Sequence, residues 1–324
     1  MTQLKTTFAG LSLRNPIIIS SSSLTNSAEK NKKRERAGAG AIVLKSVFEE
    51  QIMMEAHHMA TYGSPEGDDY LSTYVRSHAL NEYISLIEQT KKLCTIPVIA
   101  SINCFSNSEW TDFARTVETA GADALEINIL SLQTEKEYQC GSFEQRHIDI
   151  VSSIKKQISI PVIVKLGSNL TNPIALINQL YANGANAVVL FNRFYQPDIN
   201  IDTMTYSAGD VFSTPADLSN GLRWTAIASA QVPQTDYAIS GGVHDGKAIV
   251  KAILAGASAV ELCSVIYQRG NQAIADMTNE MTQWMNRQGY KDISEFKSSM
   301  NALSTGASNP FERTQFMKYF SSKE

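Results

Sequence analysis

Lys45 and Lys165 each close an apolar, β-rich run, AIVLKS at 41–46 and PVIVKLG at 161–167. An ammonium at the end of a buried strand needs an anion beside it, because desolvating an unpaired charge is costly. Two such lysines facing one opening suit an anionic ligand; pairing with a strand-end carboxylate such as Glu126 is the structural alternative for either. SGG at 240–242 and CS at 263–264 end two further runs. There Gly241 and Gly242 let backbone N–H groups approach an oxyanion, the helix that follows adds the positive end of its dipole, and Cys263 and Ser264 complete the second turn. That pattern points to a phosphate, with a plain tight strand-to-helix turn as the alternative.

Asn103, Asn128 and Asn192 also end apolar runs. Each amide both donates and accepts, which suits a planar ring with alternating N–H and C=O groups. One such asparagine reads as a turn former; the set of three points to a pyrimidine-like ligand. Ser20, Ser21, Ser22 and Ser46 add hydroxyls at the same ends. Ser131, three residues past Asn128, opens an irregular loop from which its hydroxyl can reach a bound substrate as a base, provided water or a neighbour relays the proton. A solvated loop hydroxyl is the alternative there. A phosphorylated, ring-bearing anion fits FMN, whose ring needs positive charge near its pyrimidine end, where the reduced form develops negative charge.

The elements that must position these residues are eight short β-rich runs, at 15–22, 41–46, 97–103, 124–130, 161–167, 187–192, 237–242 and 259–264. Most are continuously apolar, as expected of parallel strands covered on both faces. Four are entered by one repeated turn: AGAGAI at 37–42, AGADAL at 120–125, NGANAV at 183–188 and AGASAV at 255–260. A glycine after an amphipathic helix takes the left-handed cap position, and DFARTVETA, PIALINQLYA and KAIVKAIL supply helices before three of the copies. Eight strands alternating with helices predict an α/β fold closed into a (β/α)8 TIM barrel, a single domain over 1–324. The regularity breaks at roughly 47–80, 131–145 and 193–223, each time after a strand, where such barrels build their sites. The last forty or so residues read as a terminal helix and a partly helical tail.

Composition narrows the ligand class. The chain has 324 residues, 43% hydrophobic and 19% charged, enough for one large core. Its net charge is −4 with scattered Lys and Arg, which gives no footprint for nucleic acid or an anionic membrane surface. A small-molecule substrate is expected. The opening MTQLKTTFAG has no signal-peptide pattern and no run approaches a membrane span, so a soluble, cytoplasmic protein is expected. Cys94, Cys104, Cys140 and Cys263 form no CxxC pair and read as reduced thiols, with no metal site.

With these residues assembled, the chain resembles the dihydroorotate dehydrogenase family of FMN-dependent barrels. The likeness rests on FAGLSLRNPIIISSS at 8–22, GAGAIVLKSV at 38–47, EIN at 126–128, PVIVKLGSN at 161–169, VVLFN at 188–192, AISGGVHDGKAIVKAILAGASAV at 238–260 and MNRQGYKDISEF at 285–296. It implies that Ser20, Ser21, Ser22, Lys45, Ser46, Asn103, Asn128 and Lys165 hold the flavin ring and ribityl chain. Gly221, Gly242, Cys263 and Ser264 would surround its phosphate. Asn128 and Asn192 match positions that contact the pyrimidine. Ser131 matches the base that removes a proton while hydride passes to the flavin, and Lys45 joins it among the catalytic candidates because a lysine beside the ring tunes its electronics. The family also implies a homodimer; reoxidation needs a second acceptor such as fumarate, a quinone or a partner flavoprotein, and because no iron–sulfur cysteine cluster or membrane helix is read in this sequence, a soluble one is expected.

The departures concern the substrate. The family follows its base with Pro-Asn, and here Ser131 is followed by Leu132 and Gln133. Its Asn-rich, Gly-Leu-x-Asn substrate loop falls near 70–80, where this chain has YLSTYVRSHAL; Arg76 and His78 there are alternative ligands for a different anion. Oxidation of dihydroorotate to orotate, or of a related dihydropyrimidine, is the expected reaction. A barrel lyase or aldolase using Lys165 or Lys45 as a Schiff base, without flavin, is the alternative. A flavin-binding relative that has lost the activity is a third possibility.

Overall fold

The computed structural model describes residues 2–48, 65–103 and 110–305. Strands β1 (Thr6–Phe8) and β2 (Leu11–Leu13) form a hairpin, followed by β3 (Ile17–Ile19), helix α1 (Ala28–Ala37), β4 (Ala41–Val43) and a short β5 (Val47–Phe48). Then come α2 (Pro65–Leu93), β6 (Val98–Asn103), α3 (Trp110–Thr119), β7 (Ala124–Ile129), α4 (Ser142–Lys155), β8 (Val162–Gly167), α5 (Pro173–Ala182) and β9 (Ala187–Asn192). An antiparallel hairpin of β10 (Pro197–Asn200) and β11 (Thr205–Ala208) precedes α6 (Leu218–Gln231), β12 (Asp236–Ser240), α7 (Gly246–Leu254), β13 (Ala259–Leu262), α8 (Ser264–Arg269) and α9 (Gln272–Gln288).

Eight strands close a parallel barrel in the order β3, β4, β6, β7, β8, β9, β12, β13. Closure is visible at both seams: Ile42 pairs with Val98 and Val43 with Ile99, while Val260 pairs with Ile17 and Leu262 with Ile19. Seven of the eight runs read from the sequence contain one of these strands, and the run at 237–242 overlaps β12, which begins one residue earlier at Asp236. The repeated turn works as its glycines imply. Gly38, Gly121, Gly184 and Gly256 have φ of 114°, 92°, 98° and 115°, a region in which a Cβ would be strained. Each amide reaches back to the carbonyl three residues earlier, at Glu35, Glu118, Tyr181 and Ile253, and so closes a helix end. The N-termini are capped as well: Asp245 accepts from Ala248 N at 2.7 Å, and Asn172 accepts from Ala175 N ahead of Pro173.

Alternation within the strands sorts their side chains into two cores. Ile42, Val98, Leu125, Val164 and Val188 face outward and pack under the helices. Ile18, Ala41, Val43, Ile99, Ala124, Ile163, Val189, Ala238 and Ala259 face inward and join Phe8 and Leu13 of the hairpin, which plugs the end where the strands begin. Ala9 N donates to Asp236 Oδ2 at the start of β12, holding that plug in place. The opposite mouth is left for polar residues.

The irregular segments differ from the sequence reading in three ways. Residues 65–93 are a helix, so the YLSTYVRSHAL stretch expected in a substrate loop is helical backbone. Its second half explains the preference: Leu80, Tyr83, Ile87 and Thr90 recur at helical spacing, and the last three are buried. The 131–145 break ends at Ser142, where α4 begins, and the 193–223 break contains the β10–β11 hairpin and the first turn of α6. Cys104 and residues 49–64 of the first break lie outside the described residues.

Candidate functional site

The inward positions one step above the apolar layer are Ser20, Ser101, Glu126, Lys165 and Glu261, all buried. Their hydrogen bonds form two sets, one around Glu261 and one around Glu126. Lys165 Nζ lies 2.5 Å from Glu261 Oε2 and donates to Ser20 Oγ at 2.9 Å, and Ser20 Oγ donates to the same Glu261 oxygen. Ser101 Oγ donates to Glu126 Oε1 at 3.3 Å and is 2.7 Å from Ser46 Oγ, which is 2.9 Å from Ser21 Oγ. Burial works against the charge on Lys165, but Glu261 and Glu126 outweigh it and hold the ammonium above its ordinary range. Burial also opposes ionisation of both carboxyls. In Glu126 it wins, helped by the negative neighbour Glu261, and the group is held well above the carboxylate range. In Glu261 the Lys165 ammonium, the neighbouring Glu126 and hydrogen bonds from Lys165 and Ser20 win, and the group is held below it.

Over this floor lies a cavity of about 560 Å3 at the C-terminal ends of the strands. That volume is within the usual range for small-molecule sites. Ser20, Ser21, Ser22, Lys45, Lys165, Asn192, Gly241, Gly242, Cys263 and Ser264 all line it. Phe48, Phe191, Phe212, Tyr195 and Tyr267 give it aromatic walls. The two glycines differ. A Cβ on Gly242 would sit 2.1 Å from Leu218 N, so the chain passes against the first turn of α6 there; a Cβ on Gly241 would meet nothing within 4 Å. Leu218 N–H itself donates to the Pro215 carbonyl, so the backbone at this end of the cavity comes from the Gly241–Gly242 turn and from Ser264 at the start of α8. Ser264 Oγ accepts from Ser213 N at 2.9 Å, leaving its own hydrogen to donate, and Ser213 Oγ lies 3.1 Å from His244 Nε2.

The remaining candidates separate. Asn103, Asn128 and Lys165 stand in register on β6, β7 and β8, and Asn192 Nδ2 donates to Asn128 Oδ1 at 2.8 Å. Ser46 sits behind Ser21 in the hydroxyl chain and, with Lys45, lines a neighbouring cavity. Gly221 lies in α6, where a Cβ would press on Ile239 and on the Leu190 carbonyl; it borders a smaller cavity shared with Asn192 and Gly241. Ser131 does not line the main cavity. Its hydroxyl accepts from Gln133 Nε2 and its carbonyl accepts from Asn169 Nδ2, both at 3.0 Å. His78 lies on α2 with Nδ1 3.9 Å from Glu82, and the side chain of Arg76 is outside the described residues.

The sequence reading missed Glu261. Pairing with a strand-end carboxylate such as Glu126 was the alternative reading of each lysine, and for Lys165 that alternative holds with Glu261 as the partner. The signal was the phase of the last strand: with Ala259 inward, Glu261 and Cys263 point inward too. Ser213, His244 and the aromatic walls were missed because they come from loops that the strand pattern does not register. Among the described residues, no three or more His, Cys, Asp or Glu side chains converge as metal ligands, and no helix is long and apolar enough to cross a membrane.

Comparison with known proteins agrees with this architecture. A family model described as dihydroorotate dehydrogenase matches residues 3–285. The catalytic subunit of dihydroorotate dehydrogenase B (NAD(+)) from Thermoplasma volcanium is 27% identical over 305 residues, covering 91% of this chain and 97% of the relative. Its counterpart from Methanocella arvoryzae is 30% identical over 272 residues, 80% of this chain and 85% of the relative. The PreA subunit of the Escherichia coli NAD-dependent dihydropyrimidine dehydrogenase is 22% identical over 311 residues, 90% of this chain and 75% of the relative.

Proposed function

The chain belongs to the dihydroorotate dehydrogenase family, and from that premise we propose that it is an FMN-dependent oxidoreductase that oxidises dihydroorotate, or a related dihydropyrimidine, at a C–C single bond. One observation carries the reading: a single cavity joins the Lys165–Ser20 floor to the Gly241, Gly242 and Ser264 turns. A flavin mononucleotide has the matching two ends, a ring that gains negative charge on reduction and a terminal phosphate.

In this reading Ser20, Ser21, Ser22, Lys45, Ser46, Asn103 and Lys165 hold the ring and ribityl chain, while Gly241, Gly242, Cys263 and Ser264 hold the phosphate. Gly221 acts indirectly, by letting α6 pack close to β12, which leads into the Gly241–Gly242 turn. Bound FMN supplies the hydride acceptor. Asn128 and Asn192 orient the substrate ring, and Ser131 removes its proton when the 131–141 loop brings the hydroxyl inward. Several relatives are named as catalytic subunits of NAD(+) enzymes, which favours electron transfer to NAD+ through a second, soluble subunit. A homodimer of this chain and a cytoplasmic location complete the proposal.

The Schiff-base alternative needs a lysine with a depressed pKa. Lys165 is held charged by Glu261, the opposite condition. A substrate other than dihydroorotate is favoured by one observation: the segment expected to carry substrate-binding asparagines is helical and contains none of them between 70 and 80.

The test is flavin titration of the purified, flavin-stripped chain. FMN should bind at least a hundredfold more tightly than riboflavin, which lacks the phosphate. Equal affinity for the two would contradict the phosphate assignment, and a chain that takes up neither would sink the cofactor reading.

A further inference from the structure

We propose that Glu126 and Glu261 share a single proton beneath the cavity, so that Glu126 is a neutral acid and Glu261 is the carboxylate offsetting Lys165. The cavity then presents its ligand with a compensated triad rather than a bare ammonium. Three sets of contacts carry this. Glu261 Oε2 is taken up by Lys165 and Ser20, and Glu126 Oε1 accepts from Ser101. The other two oxygens, Glu126 Oε2 and Glu261 Oε1, are buried with no donor. Both carboxyls lie in the same buried inward layer, and each acts on the other's ionisation. Two ionised carboxylates placed this way repel and leave both oxygens unsatisfied. One proton on Glu126 Oε2, donated to Glu261 Oε1, satisfies both at once.

Lys45 and Arg193 line the same cavity as Glu261, and two further titratable groups lie against the pair. Tyr83 reaches it through Ser101, and Cys263 follows Glu261 on the same strand end. Burial pushes both the Tyr83 phenol and the Cys263 thiol up, so both are neutral at physiological pH. The triad therefore consists of one cation, one anion and one neutral acid. It also communicates with the cavity. Because Ser101 gives its only hydroxyl hydrogen to Glu126, Ser46 must donate to Ser101 and Ser21 to Ser46, a one-way chain from the cavity wall to the shared proton.

The consequence deepens the flavin reading and rests on it for the ligand: Glu261 limits how strongly Lys165 favours a ligand that becomes negative. Infrared spectroscopy of the full chain with isotope-labelled glutamate carboxyls tests the proton without any ligand. A protonated-carboxyl C=O band at neutral pH that moves with the label and disappears in Glu126→Gln is expected; absence of that band in the unaltered chain overturns the proposal. In the FMN-loaded chain, Glu261→Gln should favour the reduced flavin at least tenfold, a rise of about 30 mV in the two-electron potential, while Glu126→Gln leaves it unchanged. Equal shifts in both variants also overturn the proposal. If the chain binds no flavin, the functional reading fails and the infrared result alone judges the shared proton.

Discussion

Asn192 Nδ2 donates to Asn128 Oδ1 across 2.8 Å, so the ends of β9 and β7 are tied together over the intervening strand β8. The bond fixes which face of each amide is free. Asn128 spends its oxygen and keeps its N–H2 to donate, whereas Asn192 spends a donor and its oxygen accepts from the backbone N of Arg193. Asn192→Ala removes one contact and frees the other, an effect of about 1–3 kcal/mol on a buried polar group. We expect KM for the dihydropyrimidine to rise about tenfold to a hundredfold with flavin affinity retained, as steady-state kinetics with a flavin titration will measure.

The phosphate end yields a paired prediction. Gly241→Ala meets open space and carries only the backbone strain of φ 91°, about 1–2 kcal/mol. Gly242→Ala puts a Cβ against Leu218 N and must move the first turn of α6. FMN affinity should fall far more in Gly242→Ala than in Gly241→Ala, as equilibrium titration will read. Equal losses would mean that the close packing of Gly242 on α6 does not position the phosphate turn.

Lys165→Met leaves Glu261 buried without its counter-ion. Removing one partner of a buried pair costs about 3–5 kcal/mol, and urea unfolding of the flavin-free chain should show a loss of that order. The Lys91–Asp123 pair is partly exposed on both sides and provides the contrast. Lys91→Met should lower stability by about 1 kcal/mol or less through the ion pair.

Glu35 gives a pH signature remote from the site. Its Oε1 accepts from Thr95 N and Thr95 Oγ1, both at 2.7 Å, and from Ile96 N, while Lys32 holds the other oxygen. Burial opposes ionisation, but these bonds outweigh it and the folded pKa lies below the ordinary 4.5. The sign follows: the contribution is complete above that ordinary value and is lost as pH falls through the lower folded one. Glu35→Gln should cost about 1.5–3 kcal/mol at neutral pH, and its gap from the unaltered chain should close in acid. A gap constant with pH, measured by urea unfolding, would contradict the assignment.

Much of this arrangement was legible in the sequence because barrel strands announce themselves twice, as apolar runs and as the left-handed glycines that precede four of them. Lys165, Ser20 and the Gly241–Gly242 turn could be picked out because each interrupts an apolar strand end. Glu261 could not be singled out so directly, since pairing it with Lys165 requires the barrel to bring β8 and β13 together across the interior. Ser213 and His244 were hidden for a related reason: they meet only because the loop after β11 folds back over the end of β12. The helix from Pro65 was legible only in its second half, where Leu80, Tyr83 and Ile87 carry the helical spacing.

The central claim is tested most directly by mixing the purified, FMN-loaded protein anaerobically with dihydroorotate and following the flavin absorbance. The account predicts rapid bleaching, slowed about a hundredfold or more in Ser131→Ala as the proton-transfer contribution is lost. A flavin that stays oxidised with dihydroorotate and with other dihydropyrimidines would contradict it.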